Sequence, residues 1–192
     1  MALAAAVMAA GCAKRVETQA PVAAESRPAA SYYPLAVGNR WTYRVKFLGQ
    51  EREQQVEIVR QQDGAFVDNQ GGQLVADAYG VRDQKRYLLR YPLETGRTWS
   101  NVVSVSSVEH YRILEAGTRC EVPAGSFEDC VRVEGRNRVD ERTTIVNEMT
   151  FAQGVGLVRV QVIAEVGAKR IPQTELRLLS YRLAGGAPTS KR

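Results

Sequence analysis

The chain has 192 residues, 44% of them hydrophobic, which suits one domain with a true core plus tails. The net charge of +5 comes from basic residues placed singly among others, such as Arg44, Lys46, Arg60, Arg132 and Arg159, and no run of five lies along one element. That scatter argues against a nucleic-acid footprint, which clusters its cations on one face or stripe. The longest wholly apolar run, at the N-terminus, falls far short of the roughly 20 residues that a membrane-crossing helix requires.

In chain order, the first feature is Met1 to Ala10, small and apolar, followed at once by Gly11-Cys12. Ala9-Ala10-Gly11-Cys12 resembles the bacterial lipobox, in which small residues fit a narrow peptidase cleft and an obligatory Cys thiol receives a diacylglycerol. Two details depart from that pattern. Position −3 is Ala9 rather than the usual Leu, and no Lys or Arg precedes the apolar stretch, although a signal peptide normally has a positive n-region. The expectation is therefore a start codon further upstream, a signal segment over 1–11 and lipidation at Cys12. Residues 13–31, AKRVETQAPVAAESRPAAS, mix Ala, Pro, Glu and Ser with no apolar period and read as a solvated tether. The multiple acyl chains of a mature lipoprotein anchor firmly, where one chain alone binds weakly. The residue after the Cys is Ala13 and not the Asp that marks inner-membrane retention, so the resemblance implies the outer membrane, on its periplasmic side.

From Trp41 onward the apolar period is two. Trp41, Tyr43, Val45 and Phe47 alternate with Thr42, Arg44 and Lys46, as in a half-buried strand. Similar alternation recurs from Trp99 to Val105, from Phe127 to Glu134 and from Val158 to Ile163. Turn signals separate these runs at Asp63-Gly64, Gly71-Gly72, Gly117, Pro123-Ala124-Gly125, Gly154 and Gly156. No twelve-residue segment makes an amphipathic helix. The expected fold is all-β: one curved antiparallel sheet, a half-barrel or barrel-like meander over 32–183, with no substantial helix beyond the signal segment and a disordered tail over 184–192.

One segment occurs twice. Tyr33-Pro34-Leu35-x-x-Gly38-x-x-Trp41 returns as Tyr91-Pro92-Leu93-x-x-Gly96-x-x-Trp99. Pro fixes φ and holds the preceding Tyr extended, Gly serves the turn, and Trp opens a strand with a large apolar side chain. Two readings follow: each Trp plugs the core, which is favoured, or the pair lines a hydrophobic pocket together with Tyr43, Phe127 and Phe151.

YYPLAVGNRWTY, VPAGSFEDCVRV and FAQGVGLVRV resemble a group of bacterial lipoproteins and exported proteins that share a YPLxxGxxWxY start, a VPAGxFxxC hairpin and a GVGLV turn. The resemblance covers most of residues 32–183, although the second YPL copy lacks the Tyr two residues after its Trp. It implies a curved antiparallel sheet of the half-barrel kind used by lipoprotein carriers, and it brings no catalytic residues.

The sequence offers little chemistry. His110 is the single histidine and reads as a strand residue, because a general base needs an oriented partner and a nucleophile. No C-x-x-C, calcium loop or H-E-x-x-H occurs, so neither a metal nor another cofactor is expected. With Cys12 acylated, Cys120 and Cys130 remain, and an oxidising envelope lets them pair. If residues 123–126 form a four-residue loop, Cys120 opposes Asp129 and Cys130 points to the other face; a bulge near Gly125 restores alignment. The pairing stays open at this point. The expected protein is a non-enzymatic lipoprotein facing the periplasm, held to the membrane by its lipid and binding a lipid or other hydrophobic ligand. The alternative is a structural lipoprotein bound to an envelope protein complex.

Overall fold

Alternation of side chains builds the domain. In a computed structural model, which describes residues 29–185, Trp41, Tyr43 and Val45 are buried while Arg44 and Lys46 are exposed. A short helical turn, Ala29–Tyr32, leads into twelve strands. These are β1 Arg40–Phe47, β2 Gln50–Gln62, β3 Ala65–Asp68, β4 Gln73–Asp77, β5 Gly80–Arg82 and β6 Tyr87–Arg90. They continue as β7 Thr98–Ser104, β8 Ser107–Val122, β9 Gly125–Arg138, β10 Thr143–Ala152, β11 Gly156–Val166 and β12 Lys169–Arg182. The fold is all-β, with no α-helix among the described residues, and it forms one antiparallel sheet nearly closed into a barrel.

The strand order is β6-β5-β4-β3-β2-β1-β12-β11-β10-β9-β8-β7. It consists of two consecutive six-strand meanders, β1–β6 and β7–β12, joined through the β1–β12 ladder. Each meander opens with one YPL copy, and the copies are equivalent in their bonds as well as their letters. Gly38 N donates to Ile58 O and Ile58 N to Asn39 O; Gly96 N donates to Ile113 O and Ile113 N to Arg97 O. Both glycines have positive φ, 92° and 90°, which a side chain adopts only with strain. The repeated letters thus encode a repeated turn that starts a long hairpin.

At the other junction, β6 and β7 share no backbone ladder. Side chains close the seam instead. Tyr87 N donates to Asn101 Oδ1 at 3.0 Å, and Asn101 Nδ2 donates back to Tyr87 O at 3.2 Å, so the side-chain amide stands in for a peptide group. Trp99 Nε1 donates to the same carbonyl at 2.9 Å. Asn101→Leu is expected to leave the Tyr87 N–H without its acceptor, at a cost of about 1–3 kcal/mol. Amide hydrogen exchange should then show lost protection in β6 before β8 or β9; unchanged protection in β6 would remove the seam from the account.

The cysteines form a disulfide, Cys120–Cys130, with Cα atoms 6.0 Å apart. The four-residue loop is corrected: the turn is Pro123-Ala124, with Val122 opposite Gly125 and Cys120 opposite Phe127. Uninterrupted pairing from there would set Cys130 against residue 117 and on the wrong face. Between Phe127 and Cys130 the register takes three steps on β9 for two on β8, bringing Cys130 opposite Thr118 and onto the face of Cys120. The realigning bulge therefore lies on β9 and not at Gly125. Gly117, expected as a turn, sits inside β8 as another such slip, with φ of 71°. The helical turn also places Ala29–Tyr32 with the domain, so residues 29–31 of the expected tether are ordered structure. Cys12 and the signal segment lie outside the described residues, as does the tail beyond Gly185.

Candidate functional site

Antiparallel order sends the turns after β1, β7, β9 and β11 to one end of the barrel, and the turns after β8 and β10 to the other. The second end is filled. Trp41 is 1% exposed, with Tyr33 edge-on at 5.7 Å and its Nε1 donating to Val155 O at 2.7 Å. Tyr43 donates its hydroxyl to Leu157 O at 2.9 Å, and Phe151 is fully buried 6.0 Å from Tyr33. Burial raises the hydroxyl pKa of both Tyr33 and Tyr43 well above the ordinary phenol value, so they act as neutral packing groups. Trp99 stacks on Tyr111 at 5.4 Å, and Phe127 lies at the margin, half-buried against Tyr181 at 6.2 Å. Of the residues expected in a plug or pocket, Trp41, Tyr43, Trp99 and Phe151 belong to the plug.

The three motif segments meet at this closed end. Ala124 of the VPAG turn is buried and donates its N–H to Leu178 O, Gly154 N donates to Ser31 O, and Tyr32 donates its hydroxyl to Asp129 Oδ1 at 2.6 Å. Gly156 has φ of 113°, and a Cβ there would lie 3.3 Å from Trp41 Nε1, so the GVGLV turn is shaped to the indole. These motifs therefore specify the stopper of the barrel and contribute nothing to an exposed site.

The other end is open. A cavity of about 630 Å³ lies there, with Val45, Phe47 and Leu176 as its apolar wall and Gln50, Glu51, Arg52, Gln54 and Thr174 as its polar wall. The ladder explains this convergence: Val45 pairs with Leu176 and Arg52, and Phe47 pairs with Thr174 and Gln50. Above the β2–β3 ladder, which begins at Ile58, Asn69 and Gln70 of the β3–β4 turn bond to β2 as far as Gln54, and beyond that β2 has only β1 beside it, so the wall by the cavity mouth stops at β2. Val45 and Phe47 carry the parity of Trp41, which the β1 alternation announces. Leu176 lies in an alternation of Thr174, Leu176 and Leu178 with Glu175 and Arg177, a signal of the β12 strand that the four runs named above do not include.

Near the β7–β8 turn, Glu109 is buried, and its carboxylate accepts from Tyr111 Oη at 2.9 Å and lies 3.5 Å from an Arg86 guanidinium nitrogen. The charge is compensated, as burial demands. Burial, followed by the Glu109 carboxylate, holds the Tyr111 hydroxyl well above its ordinary pKa. His110 faces outward with Nδ1 2.9 Å from Ser100 Oγ, and the pair is exposed. No group of three metal-ligating side chains occurs among the described residues. The scattered basic residues of the strands instead form cross-strand ion pairs, such as Arg132–Glu115 at 2.8 Å and Arg159–Glu175 at 3.0 Å.

No protein-family profile matches this chain, and no curated protein does. Two solved structures are similar in part. One is a candidate lipoprotein from Parabacteroides distasonis ATCC 8503, 10% identical, covering 79% of this chain and 98% of its own, with a TM-score of 0.42. The other is a candidate exported protein with a YmcC-like fold from Bacteroides fragilis NCTC 9343, 13% identical, with the same coverage and TM-score.

Proposed function

We propose that the protein is a bacterial envelope lipoprotein, tethered through Cys12 to the periplasmic side of the outer membrane, whose barrel takes up a lipid or other hydrophobic ligand without transforming it. The observation that carries the ligand reading is the contrast between the barrel's two ends. One end is sealed by Trp41, Tyr33 and Phe151, while the other keeps a cavity of about 630 Å³ with Val45, Phe47 and Leu176 along its wall. That volume lies within the usual range of small-molecule pockets, about 300–1,000 Å³, and an apolar wall with a few polar groups is their usual lining. The lipoprotein reading rests on the small residues before Cys12 and the Ala-, Pro- and Glu-rich stretch behind it.

Native mass spectrometry of the full chain purified from its own envelope tests the first part. A co-purifying lipid is expected, and a fluorescent fatty acid in vesicle-free buffer should bind the wild type. Leu176→Glu, which sets a charge on the apolar wall, should weaken that binding about tenfold or more. Equal binding by wild type and variant would overturn the pocket. For the anchor, Cys12→Ser should abolish acyl labelling; persistent label would overturn it.

A second reading is favoured by one specific observation. The top of β2, residues 50–54, has β1 as its only ladder partner, beyond the point where Asn69 and Gln70 bond to Gln55 and Glu57. Unpaired edges of this kind accept a strand from another chain, which would make the domain a structural lipoprotein of an envelope complex. Crosslinked co-purification of one partner protein, with no lipid bound, would select it.

A further inference from the structure

We infer that the open end of the barrel is a membrane-docking surface, whose hairpin tips insert apolar side chains into an anionic phospholipid bilayer. The inference deepens the ligand reading above by naming where the mouth is presented, but apart from Phe47 it stands on different residues. Among the described residues, Leu48, Val105 and Val139 occupy turns at the open end with 70%, 108% and 60% of their surface exposed. Phe47, Val166 and Ile171 stand close behind them, also exposed. Most of the exposed large apolar side chains thus gather around one end, whereas scattered single ones are the normal state of a soluble surface.

A β-hairpin tip has no need of an aliphatic residue. Turns favour Gly, Asn, Asp and Ser for conformational reasons, and Leu48 even adopts a positive φ of 48°, a conformation that costs a non-glycine residue. Three different turns nonetheless present an exposed Leu or Val.

Charge selects the occupant. The β9–β10 and β11–β12 tips adjoin, since Gly167 N donates to Arg142 O at 3.0 Å. Together they carry Arg138, Arg142, Lys169 and Arg170 against Asp140, Glu141 and Glu165; Arg170 is paired with Glu148 and Glu165, and Asp140 is engaged by the backbone N–H groups of Arg142 and Thr143, which leaves a small excess of cations with Lys169 at the tip. An excess of cations beside inserted apolar residues suits an anionic lipid surface.

Geometry allows docking on the anchoring membrane itself. The described chain begins at Ala29, at the closed end, where Ser31 O receives the Gly154 N–H. If Cys12 is the anchor, residues 13–28 span up to about 55 Å when extended. The longest strand, β8, has 16 residues, and would measure about 54 Å if straight and less when tilted in a barrel. The connecting segment is therefore long enough to run back along the barrel and let the mouth face the membrane that holds the lipid.

The test uses the full chain carrying Cys12→Ser, so that no acyl chain contributes. Because Cys120 and Cys130 are joined, a cysteine introduced at Val105 is the single free thiol and takes an environment-sensitive dye. With vesicles of phosphatidylethanolamine and phosphatidylglycerol, the Val105→Cys probe should shift to the blue and brighten. The same dye at Tyr79→Cys, exposed in the β4–β5 turn away from the mouth, should not respond. Val105→Glu and Val139→Glu together should lower vesicle partitioning about tenfold or more, while fatty-acid binding in vesicle-free buffer stays unchanged. Equal partitioning of that double variant, a response at Tyr79, or a concentration-dependent shift at Val105 without vesicles would each overturn the docking surface. The last of these would identify a second copy as the occupant. Loss of fatty-acid binding with docking intact would strike the pocket reading alone.

Discussion

Trp41→Ala is expected to destabilise the domain by about 3–5 kcal/mol, the range for truncating a large buried aromatic side chain. Three losses combine at this position. The indole is almost wholly enclosed, so its removal leaves a void beside Tyr33, which also packs on Phe151. Its Nε1 bond to Val155 O disappears, stranding a carbonyl in the β10–β11 turn. Gly156, whose backbone conformation accommodates the indole, then lines the hole. Trp99→Ala should fall toward the lower part of the same range, because Trp99 is slightly more exposed and loses its stack on Tyr111 and one bond to Tyr87 O. Since single domains commonly have 5–15 kcal/mol in total, the Trp41 variant should melt far lower or fail to fold. Denaturant melts with tryptophan emission check this. A small loss of stability with solvent-like emission from Trp41 would mean that the indole faces a ligand space and is no plug.

Removing the disulfide, by Cys120→Ala with Cys130→Ala or by reduction, should cost about 2–3 kcal/mol. The chain-entropy expectation for a loop closed over ten residues is near 3 kcal/mol. The β8–β9 hairpin already brings these strands together, which lowers the loss, as residual hairpin order in the unfolded chain does. Cys130 is buried at 1% exposure, so alanine there also removes some packing. Intact-mass measurement after alkylation should show both thiols blocked until reductant is added, and the reduced protein should unfold at lower denaturant. Free alkylation of both in the folded, unreduced protein would overturn the bond and the β9 register slip with it.

The fold class was legible because a half-buried strand writes its geometry directly into its letters. Trp41, Tyr43 and Val45 alternate with charged residues, and no other regular structure places every second side chain on one face. The duplication was legible for a similar reason: Gly38 and Gly96 require backbone that few residues tolerate, and each Trp needs a deep seat. Both are local demands, and a local demand leaves a local mark. The short strands β3–β6 leave faint marks, since each has only three to five residues and alternation needs a longer run to be read.

Whether the cysteines could meet was undecided from the letters, because one inserted residue anywhere between Cys120 and Cys130 reverses the parity; only the paired strands locate it on β9. The closing of the barrel was equally hidden. Asn101 looks like an ordinary polar residue of alternating parity until folding brings it against Tyr87, where its amide takes the place of a peptide group. The cavity at the mouth belongs to the same class, since Phe47 and Leu176 lie 129 positions apart and become neighbours only through the β1–β12 ladder. The sequence by itself determined which residues alternate and that the Tyr-Pro-Leu turn occurs twice, because these depend on each residue and its nearest neighbours. The tertiary structure alone decided which end of the barrel is sealed and which stays open, because that depends on where distant segments converge.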